Sequence, residues 1–270
     1  MRSLLFAGAS RPDLVAKLDR AGADAAVLDL EDAVPVAGKD EARAALPELV
    51  ASVAATPLLV RVNAATTEWF EADLDAVAAL GESIAGVVVS KVEAAGELET
   101  AAGRLGEGAV VVAGIESARG VGRVEELLEA GATSCYFGAE DYIADLGGRR
   151  SEGGAEALYA RSRVVLAARL AGIASLDQVV TDFRDDEAFE RDAAAGRDLG
   201  YRGKLCIHPS QVAIANRVFS ASAEELARAR GIIAAWEEGA ARGVAAVEFE
   251  GEMVDGPAIR MARDTLERAG

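Results

Sequence analysis

The segment VVVAGIESARGVGRVEELLEAGATSCYF, residues 110–137, reads as one complete strand–helix unit followed by the start of the next. Residues 110–115 are an unbroken apolar run, the length and pattern of a parallel strand buried on both faces. Val121, Val124, Leu127 and Leu128 then form an apolar stripe at helical spacing, closed by Gly131. A second apolar run follows at 134–137. The same rhythm extends in both directions, with further runs at 3–7, 25–30, 58–62, 86–89, 174–180 and 204–207. The strand-to-strand repeat is roughly 29 residues, the size of a βα unit.

Helix signals fill the gaps. Ser10, Pro12 and Asp13 predict a helix start, with Leu14 and Leu18 on one face and Gly22 at the stop. Leu158, Val165, Leu166 and Leu170 make another stripe, and Ser222 with Glu225 a capping box. Eight βα units predict an α/β protein with a TIM (β/α)8 barrel over residues 1–243. A doubly wound open sheet is the alternative, but the first turn, Gly8-Ala9-Ser10-Arg11, lacks its glycine fingerprint. Residues 244–270 form a C-terminal extension, with a hairpin turning at Glu250-Gly251 and a helix from Pro257.

Composition narrows the function. With 45 acids, 28 bases and a formal charge of −17, the surface repels nucleic-acid phosphate and anionic lipid. No run approaches the roughly 18 apolar residues of a membrane span. The N-terminal apolar run ends at Gly8, too short for a secretory signal. Cys135 and Cys206 sit inside apolar runs and read as reduced core residues of a cytoplasmic protein. His208 is the only histidine, so no zinc spacing exists.

A barrel places chemistry at the C-terminal ends of its strands. Those positions hold Asp29, Glu31 and Asp32, then Arg61 and Asn63, Lys91, Glu116, Glu140 and Asp141, Asp177 or Asp182, and His208. Several carboxylates converging on one mouth would repel one another without a cation. Hard oxygen ligands without histidine or cysteine clusters favour Mg²⁺.

Eight segments in order carry a family resemblance: RSLLFAGASRPD (2–13), DLEDAV (29–34), VRVN (60–63), SKVE (90–93), IESARGV (115–121), FGAEDYIADLG (137–147), GKLCIHPSQV (203–212) and MVDGP (253–257). The chain resembles the citrate lyase β-subunit-like group of the malyl-CoA/citramalyl-CoA lyase superfamily. The resemblance runs from about Arg2 to Ala269. It departs at Ala7-Gly8-Ala9-Ser10, where the family often has Val-Pro-Gly-Ser, and at Ser90, which replaces a common proline.

The resemblance implies TIM barrels with a C-terminal lid, assembled as trimers or hexamers, that use Mg²⁺ (or Mn²⁺ in its place) to make or break C–C bonds next to thioesters. CoA then enters as part of the substrate, with acyl-CoA and small keto acids as ligands. Glu116 and Asp141 match the two metal ligands, and Glu116 also faces the substrate. Arg61 matches the arginine that holds the substrate carboxylate and faces the enolate. A barrel-layer ion pair with Asp29 is its alternative. Asp29 and Asp32 are expected to orient Arg61 or to reach the metal through water. Lys39, Arg2 and Arg11 are candidates for the CoA phosphates, or are solvated charges. Lys91 is expected as a mouth-facing ion pair. Asp255 matches the acid that the family brings in on its lid, serving the mouth of a neighbouring subunit, or is the N-cap of the last helix. The reaction so implied is retro-Claisen or retro-aldol cleavage of a 3-hydroxyacyl-CoA with a distal carboxylate, such as malyl-CoA or citramalyl-CoA. A malyl-CoA thioesterase and a citrate lyase β subunit acting on an acyl-carrier protein are the rival readings.

Overall fold

In the computed structural model, which describes residues 1–244 and 246–267, eight parallel strands close into a barrel in chain order. They are β1 (Ser3–Gly8), β2 (Ala25–Asp29), β3 (Leu58–Val62) and β4 (Gly86–Val89). β5 (Val110–Ile115), β6 (Ser134–Phe137), β7 (Ala174–Asp177) and β8 (Gly203–Cys206) complete the ring, because β1 pairs with β8 as well as β2. Helices such as Phe70–Leu80, Ala95–Leu105 and Asp186–Leu199 alternate with the strands. This is the expected TIM (β/α)8 barrel. Residue 245 and residues 268–270, part of the expected 244–270 extension, lie outside the described residues, as does the end of the family resemblance at 269.

The chain divides into two compact units, Met1–Arg217 and the residues from Val218 onward. In the first, side chains alternate along each strand, and one face of every strand fills the barrel. Leu4, Val27, Leu59, Val88, Val112, Tyr136, Leu176 and Leu205 form that core.

Three local expectations are corrected. β7 stops at Asp177 rather than at 180, because its neighbour β6 offers only four residues to pair with. Ser10 does not cap the first helix: its hydroxyl donates to the Ala33 carbonyl, and the one-turn helix Pro12–Val15 has Arg11 before it with no side-chain cap. In the helix Ala155–Ala171, Leu158, Leu166 and Leu170 face outward. The buried side is instead Ala157, Ala160, Arg161, Val164, Ala167 and Ala168, where small residues allow close approach and Asp177 pairs with the buried arginine.

The second unit holds the helix Ala223–Ala241, which starts with the Ser222–Glu225 capping box. The hairpin β9 (Val247–Phe249) and β10 (Glu252–Val254) follows. Its turn residues Glu250 and Gly251 both have positive φ (51° and 83°), as a two-residue hairpin turn with right-handed strand twist requires. The last helix is Gly256–Glu267. No helix among the described residues is long and apolar enough to cross a membrane.

Candidate active site

Strand alternation brings the first charged pair together. Asp29 lies two residues beyond the inward-facing Val27 on β2, and Arg61 two beyond Leu59 on β3. The register sets them side by side. Arg61 Nε donates to Asp29 Oδ1 at 2.7 Å and Nη2 to Oδ2 at 2.6 Å. Asp29 also accepts the backbone N–H groups of Glu31 and Ala33. Both its oxygens are thus occupied inside the protein, and what Asp29 does here is hold the guanidinium. The Phe6 ring packs against that guanidinium at 5.1 Å. Burial opposes the Arg61 charge, but Asp29 outweighs it and keeps the group well above its ordinary pKa. The Nε–Nη2 edge is therefore committed to Asp29, and Nη1 faces the Glu31 carboxylate at 3.0 Å.

Glu116 follows β5 directly and reaches Tyr136 in the barrel core. Tyr136 donates its hydroxyl to Glu116 Oε1 at 2.6 Å, and Lys91 donates its backbone N–H to the same oxygen at 3.1 Å. Oε2 accepts no hydrogen bond from a described residue. Two glycines make the space: a Cβ at Gly114 would meet Tyr136 Oη at 2.6 Å, and one at Gly138 would meet Glu116 Oε2 at 2.8 Å. Burial is the main cause that pushes the Glu116 pKa up to about 7, against the pull of Arg61. Capping of the next helix falls to Ser117, whose Oγ accepts from the Gly120 N–H.

Lys91 joins the pieces. Its Nζ lies 2.6 Å from Glu31 Oε1, 3.3 Å from Asp32 Oδ1 and 3.3 Å from Asp141 Oδ1. Burial works against its charge, but Glu31, Asp141 and Asp32 together raise its pKa. Glu31 in turn bridges Lys91 and Arg61. Its Oε2 is 3.0 Å from Arg61 Nη1 yet is buried and makes no aligned hydrogen bond. Burial raises the Glu31 pKa as well.

The cluster fits a hard divalent cation. Glu116 has an oxygen with no donor, Glu31 has an orphaned buried oxygen, and all the available ligands are carboxylate oxygens. If all are ionised, Asp29, Glu31, Asp32, Glu116 and Asp141 exceed the nearby cations Arg61, Lys91 and Lys39 by two charges, and burial pushes Glu31 and Glu116 towards holding a proton instead. Among the described residues no group of three or more His, Cys, Asp or Glu side chains is arranged as a metal cage. Mg²⁺ does not need one, since water and substrate commonly supply its other ligands.

The structure thus brings together Arg61, Glu116, Asp141, Asp29 and Asp32 from the sequence reading. Asp32 lies exposed at the rim. Two expected phosphate contacts are corrected. Arg2 precedes β1, at the end of the barrel opposite the mouth, and pairs with Asp24 at 2.7 Å. Lys39 is buried, and its Nζ donates to the backbone carbonyls of Leu30 (2.8 Å) and Glu31 (2.6 Å), so it fastens the β2 loop. Arg11 lies in the exposed loop after β1, paired with Asp13. His208 stacks on Phe183, with Nδ1 2.9 Å from Ser210 Oγ. In the second unit, Asp255 immediately precedes the last helix, and its carbonyl accepts from the Ile259 N–H at 3.1 Å. Its side chain makes no cap hydrogen bond there.

Glu31 was placed at the mouth but given no role, and Tyr136 was missed. Glu31 lies two residues beyond Asp29, the same spacing that puts Arg61 beyond Leu59, and that was its signal. Tyr136 is a hydroxyl-bearing residue in an otherwise apolar run; its partner Gly114 across the strand pair shows only once register is known.

A family model described as HpcH/HpaI aldolase/citrate lyase matches residues 2–209, and one described as C-C bond lyase of the TIM-barrel fold matches 156–270. A citrate lyase subunit beta-like protein of Deinococcus radiodurans is 46% identical across 98% of this chain and 96% of its own. A (3S)-malyl-CoA thioesterase of Cereibacter sphaeroides is 34% identical across 99% of this chain and 94% of its own. The crystal structure of CitE from Mycobacterium tuberculosis, in complex with magnesium, acetoacetate and coenzyme A, superposes with a TM-score of 0.83 at 34% identity, covering all of both chains. The chain therefore belongs to the HpcH/HpaI aldolase/citrate lyase family.

Proposed function

We propose that this protein is a Mg²⁺-dependent carbon–carbon lyase that cleaves a 3-hydroxyacyl-CoA thioester carrying a distal carboxylate, such as malyl-CoA or citramalyl-CoA. The observation that carries this reading is the buried Glu116 carboxyl, with one oxygen free, set among Arg61, Lys91 and Asp141 at the mouth of the barrel. The magnesium and coenzyme A bound by the M. tuberculosis relative support it.

Glu116 and Asp141 would hold the metal. When bound, Mg²⁺ lowers the pKa of a coordinated hydroxyl and steadies the charge on a carbonyl oxygen. Arg61, fixed by Asp29, would turn Nη1 from its unaligned contact with Glu31 to the substrate carboxylate and to the oxygen on which charge develops as the C–C bond breaks. Asp29 is a positioning residue. As the C–C bond breaks, the 3-hydroxyl loses its proton to solvent and becomes the carbonyl of the keto acid, and the bond's electron pair forms the enolate of the acyl thioester. Asp255, having taken up a proton from solvent, donates it to the enolate carbon, a step worth roughly 10²–10⁴-fold in rate. In this reading the extension 244–270 serves as a lid on the mouth of a neighbouring copy within a homotrimer or hexamer. The outward-facing Leu158, Leu166 and Leu170 support assembly, since an apolar stripe on a chain this acidic is otherwise exposed to water.

The thioesterase relative favours a second reading, hydrolysis of the same thioester. The purified protein with Mg²⁺ and a panel of malyl-, citramalyl-, citryl- and 3-hydroxy-3-methylglutaryl-CoA separates the two. A lyase releases a keto acid and a shorter acyl-CoA, identified by mass. Free hydroxy acid with CoA as the sole products would replace this reading with the hydrolase.

A further inference from the structure

We propose that Lys91 is a built-in counter-ion for the metal-site carboxylates and thereby sets the affinity of the mouth for a divalent cation. This rests on the reading of Glu116 and Asp141 as the groups that hold the metal, and it goes beyond it in assigning what limits that binding.

Lys91 has a φ of 50°, in the left-handed region. A non-glycine residue there is strained and persists only where its surroundings enforce it. Here the conformation aims two groups of one residue at the same cluster. The backbone N–H fixes Glu116 Oε1, and the ammonium lies among Asp141, Glu31 and Asp32. Glu31 gives the closest contact, at 2.6 Å, and Asp141 a looser one, at 3.3 Å. The ammonium therefore has a firm partner away from the metal-holding pair and only a loose one within it. A dication held by Glu116 and Asp141 would bring like charge beside that ammonium. Lysine and metal are thus alternative means of neutralising the same carboxylates, and each weakens the other's hold. A lysine that served only to anchor its loop would have no such effect on cation affinity.

Mn²⁺ is the probe, titrated without substrate and followed by paramagnetic resonance of the free ion. Lys91→Gly suits the positive φ and keeps the N–H to Glu116 while removing the ammonium. Lys91→Met removes the charge with the stem retained. Both variants are expected to bind Mn²⁺ more tightly than the parent, by about fivefold or more. Unfolding scans give an independent reading if either variant is poorly folded without metal. Metal-free Lys91→Gly should unfold at a lower temperature than the parent, and saturating Mg²⁺ should raise its Tm by more than it raises the parent's. Affinity that is weaker, or tighter by less than that margin, with an equal Mg²⁺-induced Tm shift overturns the proposal. Glu116→Gln separates the two layers. If it binds Mn²⁺ as the parent does, the metal reading fails and takes this inference with it. If it loses Mn²⁺ while the Lys91 variants match the parent, the metal reading stands and only this inference falls.

Discussion

Arg61 shows how far a single residue could be read in advance. Its place at a strand end was legible, and so were that of Glu116 just past β5 and, more loosely, that of Asp141 in the first turn of the helix after β6, because strand ends follow from apolar runs. What the guanidinium touches was not legible, since two partners compete for it: Asp29 takes the Nε–Nη2 edge, which the sequence reading had left open between substrate and Asp29. Arg61→Lys removes that two-bond hold. It is expected to lower turnover by the equivalent of about 2.7–4 kcal/mol, the usual cost of one such contact. Steady-state kinetics check it, and unchanged kcat and KM would make Arg61 scaffold. Arg2 and Lys39 failed for a related reason. A long basic side chain reaches any acid or carbonyl within several ångströms, and composition does not say which end of the barrel that is. Glu116 adds a pH dependence. Its folded pKa, about 7, lies above its ordinary 4.5, so the native state retains a proton that the unfolded chain has released. Stability of the metal-free protein should therefore fall as pH rises between those two values. Glu116→Gln should flatten this part of the profile and unfold at a higher temperature than the parent near pH 8. Parallel profiles of Tm against pH in parent and variant would show that the group is not held as described.

Elements were more legible than contacts. Parallel strands buried on both faces announce themselves as unbroken apolar runs, and all eight begin at or next to those runs, β7 stopping three residues short of its own. The helix Ala155–Ala171 went the other way. The larger apolar residues suggested one face, but alanines and Arg161 form the buried one, because Asp177 and Lys204 with Asp192 build an ionic layer behind β7 and β8. Hydrophobic size alone cannot reveal a helix seated on charge. The capping box and the hairpin turn were legible because both depend on near neighbours. That hairpin leads into Asp255 and the last helix. The Asp255 carbonyl carries the backbone bond to Ile259, and no side-chain cap bond is at stake. Asp255→Asn should accordingly leave Tm nearly unchanged while lowering turnover by about two to four orders of magnitude. A large fall in Tm with normal turnover in the folded fraction would return Asp255 to a structural role.

At the scale of the whole molecule, the proposed function asks a chain of formal charge −17 to draw an anionic thioester to an acidic mouth. Five carboxylates there outnumber the arginine and two lysines, and a divalent cation would make up the difference. On the proposed function, metal rather than the surface field would let a carboxylate substrate approach Glu116 and Arg61. Family membership was legible from eight short segments in order, whereas the choice of acyl group was not. One methyl or methylene in a pocket changes discrimination by only about 1–3 kcal/mol. The decisive measurement is the initial rate of keto-acid release from the best CoA ester of the panel, with EDTA and then with excess Mg²⁺, in the parent, Glu116→Gln and Asp141→Asn proteins. The parent should be inactive in EDTA and recover with Mg²⁺, while both folded variants stay largely inactive. Full activity of the parent in EDTA, or of both variants with Mg²⁺, would contradict a metal-dependent lyase site at this mouth.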